Sequence, residues 1–179
     1  MDFVTQGVDY LPRMFMMPLN NIAAMTSQKN YELRVELSHT DGSTSFDHYG
    51  YFALTTNTFK FNAHFKKASS ANLGSFDAGS LLNEVDFQAA GASANPTPCF
   101  SNNNSGSWYT ASCDGFVLLG DNTNMYYGAL AQIEETKMLI RETGCEQWES
   151  QNGSTYRCSE CRAGYVLNAL QECIKCPGT

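Results

Sequence analysis

Charged residues are scarce in this chain, and basic residues are fewer than acidic ones. Only 16% of the 179 residues are charged, with 11 Lys and Arg against 18 Asp and Glu, so the net charge is −7. Nucleic acids and anionic membranes bind basic patches, so neither is an expected partner. No apolar run approaches the roughly 18 residues of a membrane span, so membrane insertion is not expected. The first residues have neither the basic flank nor the apolar core of a signal peptide. Either a precursor has been trimmed or the chain is a fragment of a longer protein, and we favour the fragment.

The sequence also lacks the patterns of common catalytic sites. His39, His48 and His64 do not fall in a His-x-x-x-His or His-Glu-x-x-His pattern. The sequence contains no Gly-x-Ser-x-Gly motif and no phosphate-binding glycine loop. We predict that the chain is not an enzyme.

A strong signal for antiparallel strands is present instead. Over residues 31–37 apolar side chains alternate with charged ones, the period-two pattern of a strand with one buried face. Asp41-Gly42 supplies a hairpin turn, because glycine accepts the positive φ that such turns need, and a returning strand follows over residues 46–52. A further strand is expected to bury the face formed by Phe59, Phe61, Ala63 and Phe65.

Five of the seven cysteines lie within residues 145–179 and mark a separate C-terminal module. Cys158-x-x-Cys161 and Cys173-x-x-Cys176 are a common arrangement for structural zinc, because four thiolates can then converge tetrahedrally. However, the spacer between the two pairs is only eleven residues long, whereas such zinc sites usually have about 15–20. A zinc site would also leave Cys145 over. We favour disulfides and expect no metal.

Several segments resemble the fibrinogen-like domain of ficolins, tachylectins, tenascins and angiopoietins. Residues 19–28, followed by Tyr-Glu-Leu-Arg-Val-Glu-Leu at 31–37, resemble that family's helix and strand. Gly106-Ser-Trp-Tyr109, between Cys99 and Cys113, resembles its C-terminal disulfide loop. The resemblance covers roughly residues 15–141 and does not include the family's N-terminal subdomain. It implies an α+β fold, a mainly antiparallel domain with short helices and long irregular loops over residues 1–143. The disulfide-rich module then occupies residues 144–179.

The resemblance further implies disulfide pairs and an extracellular or cell-surface location. In the family, Cys99 pairs with Cys113, which here would close a loop of about 15 residues and stabilise by roughly 3 kcal/mol. Gly164-Tyr-Val-Leu167 resembles part of an extracellular cysteine-rich repeat of the growth-factor-receptor and EGF-like kind. We therefore expect the pairs Cys145–Cys158 and Cys161–Cys173, with the partner of Cys176 beyond Thr179 or on another chain. Asn103 and Asn152 begin Asn-x-Ser acceptors for glycosylation, although each segment could equally be a plain surface turn.

The family's ligand sites are altered in this sequence. Members bind calcium before the first cysteine of the loop through an Asp-x-Asp pattern, but residues 88–98 contain no acidic side chain. We expect the calcium site to be lost and no cofactor to be bound. In ficolins and tachylectins an aromatic pocket beside the second cysteine holds acetylated sugars. Asp114 and Leu119 replace two polar residues of that pocket.

The resemblance leaves two hypotheses for function. One is a structural or adhesive module of an extracellular multi-domain protein or assembly, in contact with other extracellular proteins or with copies of the same chain. The alternative is lectin-like recognition of glycan through the loop from Trp108 to Asp114. The ligand-binding candidates are Trp108, Tyr109, Ser112, Cys113, Asp114, Tyr126 and Tyr127. For Trp108 and Tyr109, packing against the disulfide and core is the competing interpretation.

Overall fold

The computed structural model describes residues 8–9, 15–73, 77–88, 106–110, 115–116, 127, 133–151 and 156–176. Its helical segments are α1 (Leu19–Gln28), a 3-10 turn (Ala71–Leu73) and α2 (Ala78–Leu82). Its strands are β1 (Val8–Asp9), β2 (Phe15–Met16), β3 (Tyr31–His39), β4 (Thr44–Leu54), β5 (Phe61–Ser69), β6 (Phe87–Gln88), β7 (Ser107–Tyr109), β8 (Gly115–Phe116), β9 (Ile133–Glu142), β10 (Cys145–Ser150), β11 (Tyr156–Cys161), β12 (Tyr165–Leu167) and β13 (Cys173–Lys175).

A four-stranded antiparallel sheet in the order β5-β4-β3-β9 forms the centre of the described structure. The β3–β4 turn forms where the sequence predicts it, since Gly42 has a φ of +82°. The Asp41 carboxylate accepts the backbone N–H of Ser43 at 2.8 Å and closes the turn. The predicted α+β fold, mainly antiparallel with short helices and a disulfide-rich C-terminal region, is confirmed.

The strand after the hairpin differs from the prediction. β5 begins at Phe61, and Phe65 has a φ of +59°, which breaks the alternation of its side chains. Lys66, opposite Tyr49 in the sheet, reaches the buried face and forms an ion pair with Asp47. Phe65 instead lies on the outer face, where its ring stacks on that of Trp148. The prediction that Phe65 shares the buried face of Phe61 is therefore wrong, because an irregular backbone reverses the pattern.

The inner face of the sheet carries the apolar core. Helix α1 packs against it through Leu19 and Ala23, and the Thr26 hydroxyl accepts the N–H of Leu54 at 3.1 Å. The largest fully buried side chains of the described core are Trp108, Tyr49, Tyr109, Tyr127, Phe52 and Phe61. A core this rich in aromatic groups buries much apolar area with few residues.

The C-terminal tail, residues 145–176, follows β9 after only Thr143 and Gly144. It consists of the hairpins β10–β11 and β12–β13. The carbonyl of Gly144 accepts the N–H of Arg162 at 2.9 Å. A Cβ atom on Gly144 would lie 2.2 Å from the ring of Tyr165. The tail therefore folds back closely on the point where the chain leaves the sheet.

Candidate functional site

The three ligand-binding candidates that the structure describes are buried. Trp108 and Tyr109 are each 1% exposed, and Tyr127 is 0% exposed. Ring faces at that depth cannot stack on a sugar in solvent. We therefore interpret these three side chains as part of the packed core. The other candidates, Ser112, Cys113, Asp114 and Tyr126, lie outside the described residues. So do Cys99, both glycosylation acceptors Asn103 and Asn152, and residues 89–98 of the expected calcium-free loop.

Within the described residues, the Trp108 indole makes a hydrogen bond and packs against two aromatic rings. Its Nε1–H donates to the carbonyl of Phe59 at 2.7 Å. Its ring packs edge-on against Phe87, with centroids 4.9 Å apart, and at a tilt against Phe61 at 5.4 Å. A buried indole with its N–H satisfied fits the core well. Phe59 has a φ of +52°, so the backbone bends at the residue whose carbonyl accepts this hydrogen bond.

Tyr127 belongs to a buried polar cluster that the sequence did not indicate. Its hydroxyl donates to Oδ2 of Asp47 at 2.8 Å, and Asp47 is 0% exposed. The hydroxyl of Tyr49 lies 3.3 Å from the same oxygen and 3.0 Å from Oδ1 of Asp77. Burial raises the pKa of both tyrosines, and the nearby carboxylate charge of Asp47 raises it further. Lys66 also belongs to the cluster, with Nζ 3.0 Å from Oδ1 of Asp47.

A histidine and a serine are also in contact within the described residues. Nε2 of His39 lies 2.8 Å from Oγ of Ser45. That pairing is one element of nucleophilic catalysis. Both side chains are buried, however, so a substrate cannot reach the hydroxyl. We interpret the contact as a structural hydrogen bond.

The tail cysteines form the disulfides Cys145–Cys158 and Cys161–Cys173, which are the pairs that the sequence predicted. The sulfur atoms of Cys145, Cys158 and Cys173 lie within 4.8 Å of one another, close enough to share a metal ion. Zinc binds thiolates, however, and each of these sulfurs is in a disulfide. In this oxidised form the cluster cannot hold the ion.

The tail docks on the outer face of the sheet through Trp148. Its ring stacks on Phe65 with centroids 5.5 Å apart and an interplanar angle of 12°, and Tyr156 meets Phe65 edge-on at 5.4 Å. The Trp148 ring lies directly over Gly50, where a Cβ atom would be 2.2 Å from Cη2. Glycine at this position therefore makes room for the indole. The sequence shows no signal for the contact, because the residues involved lie about 80–100 positions apart.

A buried carboxylate organises the charges beside this contact. Glu32 accepts from His48 at 2.7 Å and from Nε of Arg141 at 2.8 Å, and Lys67 lies at 3.1 Å. Burial alone would raise the pKa of Glu32, but these three partners lower it to about 2. The Lys67 ammonium also lies 5.7 Å from the ring centre of Trp148.

A second group of charges joins the tail to the end of β9. The Glu142 carboxylate pairs with Lys29 at 2.7 Å and with Arg162 of the tail. Between sheet and tail lies a cavity of about 190 Å³, with Glu32, Lys67 and Trp148 among its lining residues. Small-molecule sites usually measure about 300–1,000 Å³, so this cavity is below the usual size of a ligand site.

The β12–β13 hairpin exposes four apolar side chains, Val166, Leu167, Leu170 and Ile174, which we call the hairpin patch. These four side chains are 39–76% exposed. Val166 and Ile174 are paired across the β12–β13 hairpin, so their contributions are adjacent. Clustered apolar side chains on a surface indicate protein contact more often than isolated ones do.

Comparisons with known proteins agree with this architecture. The fibrinogen-like globe domain of human ANGPTL2 superposes with a TM-score of 0.61 at 20% sequence identity, covering 76% of this chain and 69% of that one. The corresponding domain of human ANGPTL6 gives a TM-score of 0.62 at 19% identity, covering 79% and 72%. No curated protein matches the sequence. Among the described residues, no helix has the length and apolar composition needed to cross a membrane. Residues 5–158 match the family described as fibrinogen beta and gamma chains, C-terminal globular domain, and the chain therefore belongs to that family.

Proposed function

We propose that this chain is a structural or adhesive module of an extracellular protein assembly, and that it acts through protein–protein contacts. Fibrinogen-like domains are typically non-enzymatic and typical of extracellular proteins. They typically serve in recognition of proteins or other ligands. We propose that this chain recognises proteins rather than other ligands.

The docking of the tail on the sheet is the main support for this proposed function. Trp148 over Gly50 and the Glu142–Arg162 ion pair attach the tail to the sheet at two separate places. The tail is therefore held in one orientation, and this orientation presents the hairpin patch to solvent. A fixed apolar surface loses little conformational entropy when a partner binds, which favours a role in assembly.

The lectin-like alternative has less support. It needs aromatic rings that a sugar can reach, and the rings of Trp108 and Tyr109 are buried. The loss of acidic residues from positions 88–98 also removes the calcium ligands expected for the family. We propose that the module binds its partner without calcium.

Binding of the fluorescently labelled chain to the surface of its source cells tests the proposal. We expect binding to be lost after the cells are treated with protease and retained after they are treated with glycosidases. The double variant Val166→Glu/Ile174→Glu should bind at least tenfold more weakly. Leu139→Glu is the matched control, because Leu139 is exposed to a similar extent on the sheet. Binding that glycosidases abolish, or specific binding on a glycan array, would favour the lectin-like alternative.

A further inference from the structure

The buried cluster beneath β4 and β5 holds a lysine and a carboxylate in a position to react. Nζ of Lys66 lies 3.0 Å from Oδ1 of Asp47, and their side chains are 15% and 0% exposed. The approach is close, yet Oδ1 makes no hydrogen bond of acceptable geometry with the described residues. A buried charged pair is expensive to desolvate unless its hydrogen bonds are complete. A reaction between the two groups requires one proton to pass from Lys66 to Oδ1 of Asp47, which gives a neutral amine and a neutral carboxylic acid.

Two phenolic hydroxyls approach the same oxygen of Asp47. The hydroxyl of Tyr127 donates to Oδ2 at 2.8 Å. The hydroxyl of Tyr49 lies 3.3 Å from Oδ2 and 3.0 Å from Oδ1 of Asp77, so its single proton can point to either carboxyl. When Tyr49 donates to Asp47, both hydroxyls donate to one carboxyl oxygen.

We propose that Lys66 and Asp47 are joined by a spontaneous intramolecular isopeptide bond. The neutral amine of Lys66 attacks Cγ of the protonated Asp47 carboxyl and forms the N–C bond. Negative charge develops on Oδ2, where Tyr49 and Tyr127 stabilise it as fixed hydrogen-bond donors. The amine nitrogen gives one proton to Oδ1, which already carries the acid proton. The Cγ–Oδ1 bond then breaks, and Oδ1 leaves as water with these two protons. The products are one amide and one water molecule, so the step needs no oxidant, cofactor or second protein.

The position of the bond gives it a structural purpose. Lys66 lies next to Phe65, whose positive φ interrupts the ladder between β4 and β5. A covalent link from Asp47 to Lys66 would join the two strands at this irregular point. It would also keep Phe65 on the outer face, where Trp148 of the tail stacks on it.

Mass spectrometry of the full chain, reduced and denatured, tests the proposal. We expect the measured mass to be one water molecule below the mass calculated from the sequence. Digestion should yield a branched product containing residues 47 and 66, and trypsin should not cleave after Lys66. The variant Lys66→Arg should have the full calculated mass. Lys67→Arg is the matched control, because the neighbouring lysine pairs with Glu32 instead, and this variant should keep the mass deficit.

Two results would overturn the proposal. One is a wild-type mass equal to the calculated mass, which would leave Lys66 and Asp47 as a buried ion pair. The other is a water loss located on a linear peptide at Asp41-Gly42, where succinimide formation also removes one water. Hydroxylamine cleaves a succinimide, whereas the branched isopeptide product survives it. Because the wild-type mass decides the question, the test does not depend on whether Lys66→Arg folds.

Discussion

Replacing Gly50 with alanine tests whether Trp148 fixes the tail on the sheet. A Cβ atom at this position would lie 2.2, 2.5 and 2.6 Å from three carbon atoms of the indole ring. Carbon atoms in favourable contact are about 3.5–4.0 Å apart, so the ring must move by roughly 1 Å or more. Trp148 cannot simply rotate away, because its ring is stacked on Phe65 at an interplanar angle of 12°. The whole β10–β11 hairpin has to shift to relieve the contact.

The expected cost follows from two opposing effects. Forcing an extra carbon atom into a packed contact typically destabilises by about 1–3 kcal/mol. Replacing glycine within a strand by alanine stabilises the fold by roughly 0.5–1 kcal/mol, because the unfolded chain has less conformational entropy to lose. We therefore expect Gly50→Ala to lower the free energy of unfolding by about 1–2 kcal/mol. In the background of Trp148→Ala the obstacle is gone, so the same change should be neutral or should stabilise.

Urea unfolding of the wild type, both single variants and the double variant measures this coupling. At about 2–4 °C per kcal/mol for a chain of this size, the melting temperatures should show the same pattern. Hydrogen exchange should quicken across the tail in Gly50→Ala and stay unchanged in α1. An equal loss of stability from Gly50→Ala in both backgrounds would refute the reasoning, because the alanine would then be disturbing something other than Trp148.

Three further predictions concern the charges, the buried cluster and the disulfides. The pKa of Glu32 is lowered from 4.5 to about 2, so its stabilisation of about 3 kcal/mol is complete above pH 4.5 and is lost as the pH falls towards 2. In urea unfolding across that range, the advantage of the wild type over Glu32→Gln should shrink, while Glu36→Gln, which changes an exposed ion pair, should follow the wild type. Tyr127→Phe should lower the free energy of unfolding by about 1–3 kcal/mol, because it removes a buried donor to a carboxyl oxygen. The control Tyr51→Phe, on the outer face, should lower it by less than about 0.5 kcal/mol. Equal losses of stability in the two variants would contradict the buried hydrogen bond. The tail disulfides close loops of about 13–14 residues, so their reduction should lower the free energy of unfolding by roughly 3 kcal/mol for each. Hydrogen exchange should then become faster in the tail before it does so in the sheet. Simultaneous acceleration in tail and sheet would contradict this order.

The central sheet could be predicted from the sequence because one buried face determines every second side chain. The alternation over residues 31–37 and the turn at Asp41-Gly42 are local signals, and the structure forms the hairpin there. The environment of Trp108 could not be predicted in the same way. Its burial depends on Phe59 and Phe87, which contact it only in the folded chain. A resemblance that locates an aromatic residue does not show whether its ring faces a ligand or the core.

The irregular backbone at Phe65 explains why two features of the structure escaped prediction together. A regular strand would have buried Phe65 and exposed Lys66, as the alternation in the sequence suggests. The positive φ of Phe65 exchanges their positions and thereby provides both an outer ring for Trp148 and an inner lysine for Asp47. A slip of one residue would remove both contacts at once, leaving the tail without its aromatic partner and a buried carboxyl without its amine. The docking of the tail and the composition of the buried cluster are therefore coupled through one residue of β5, although they lie on opposite faces of the sheet.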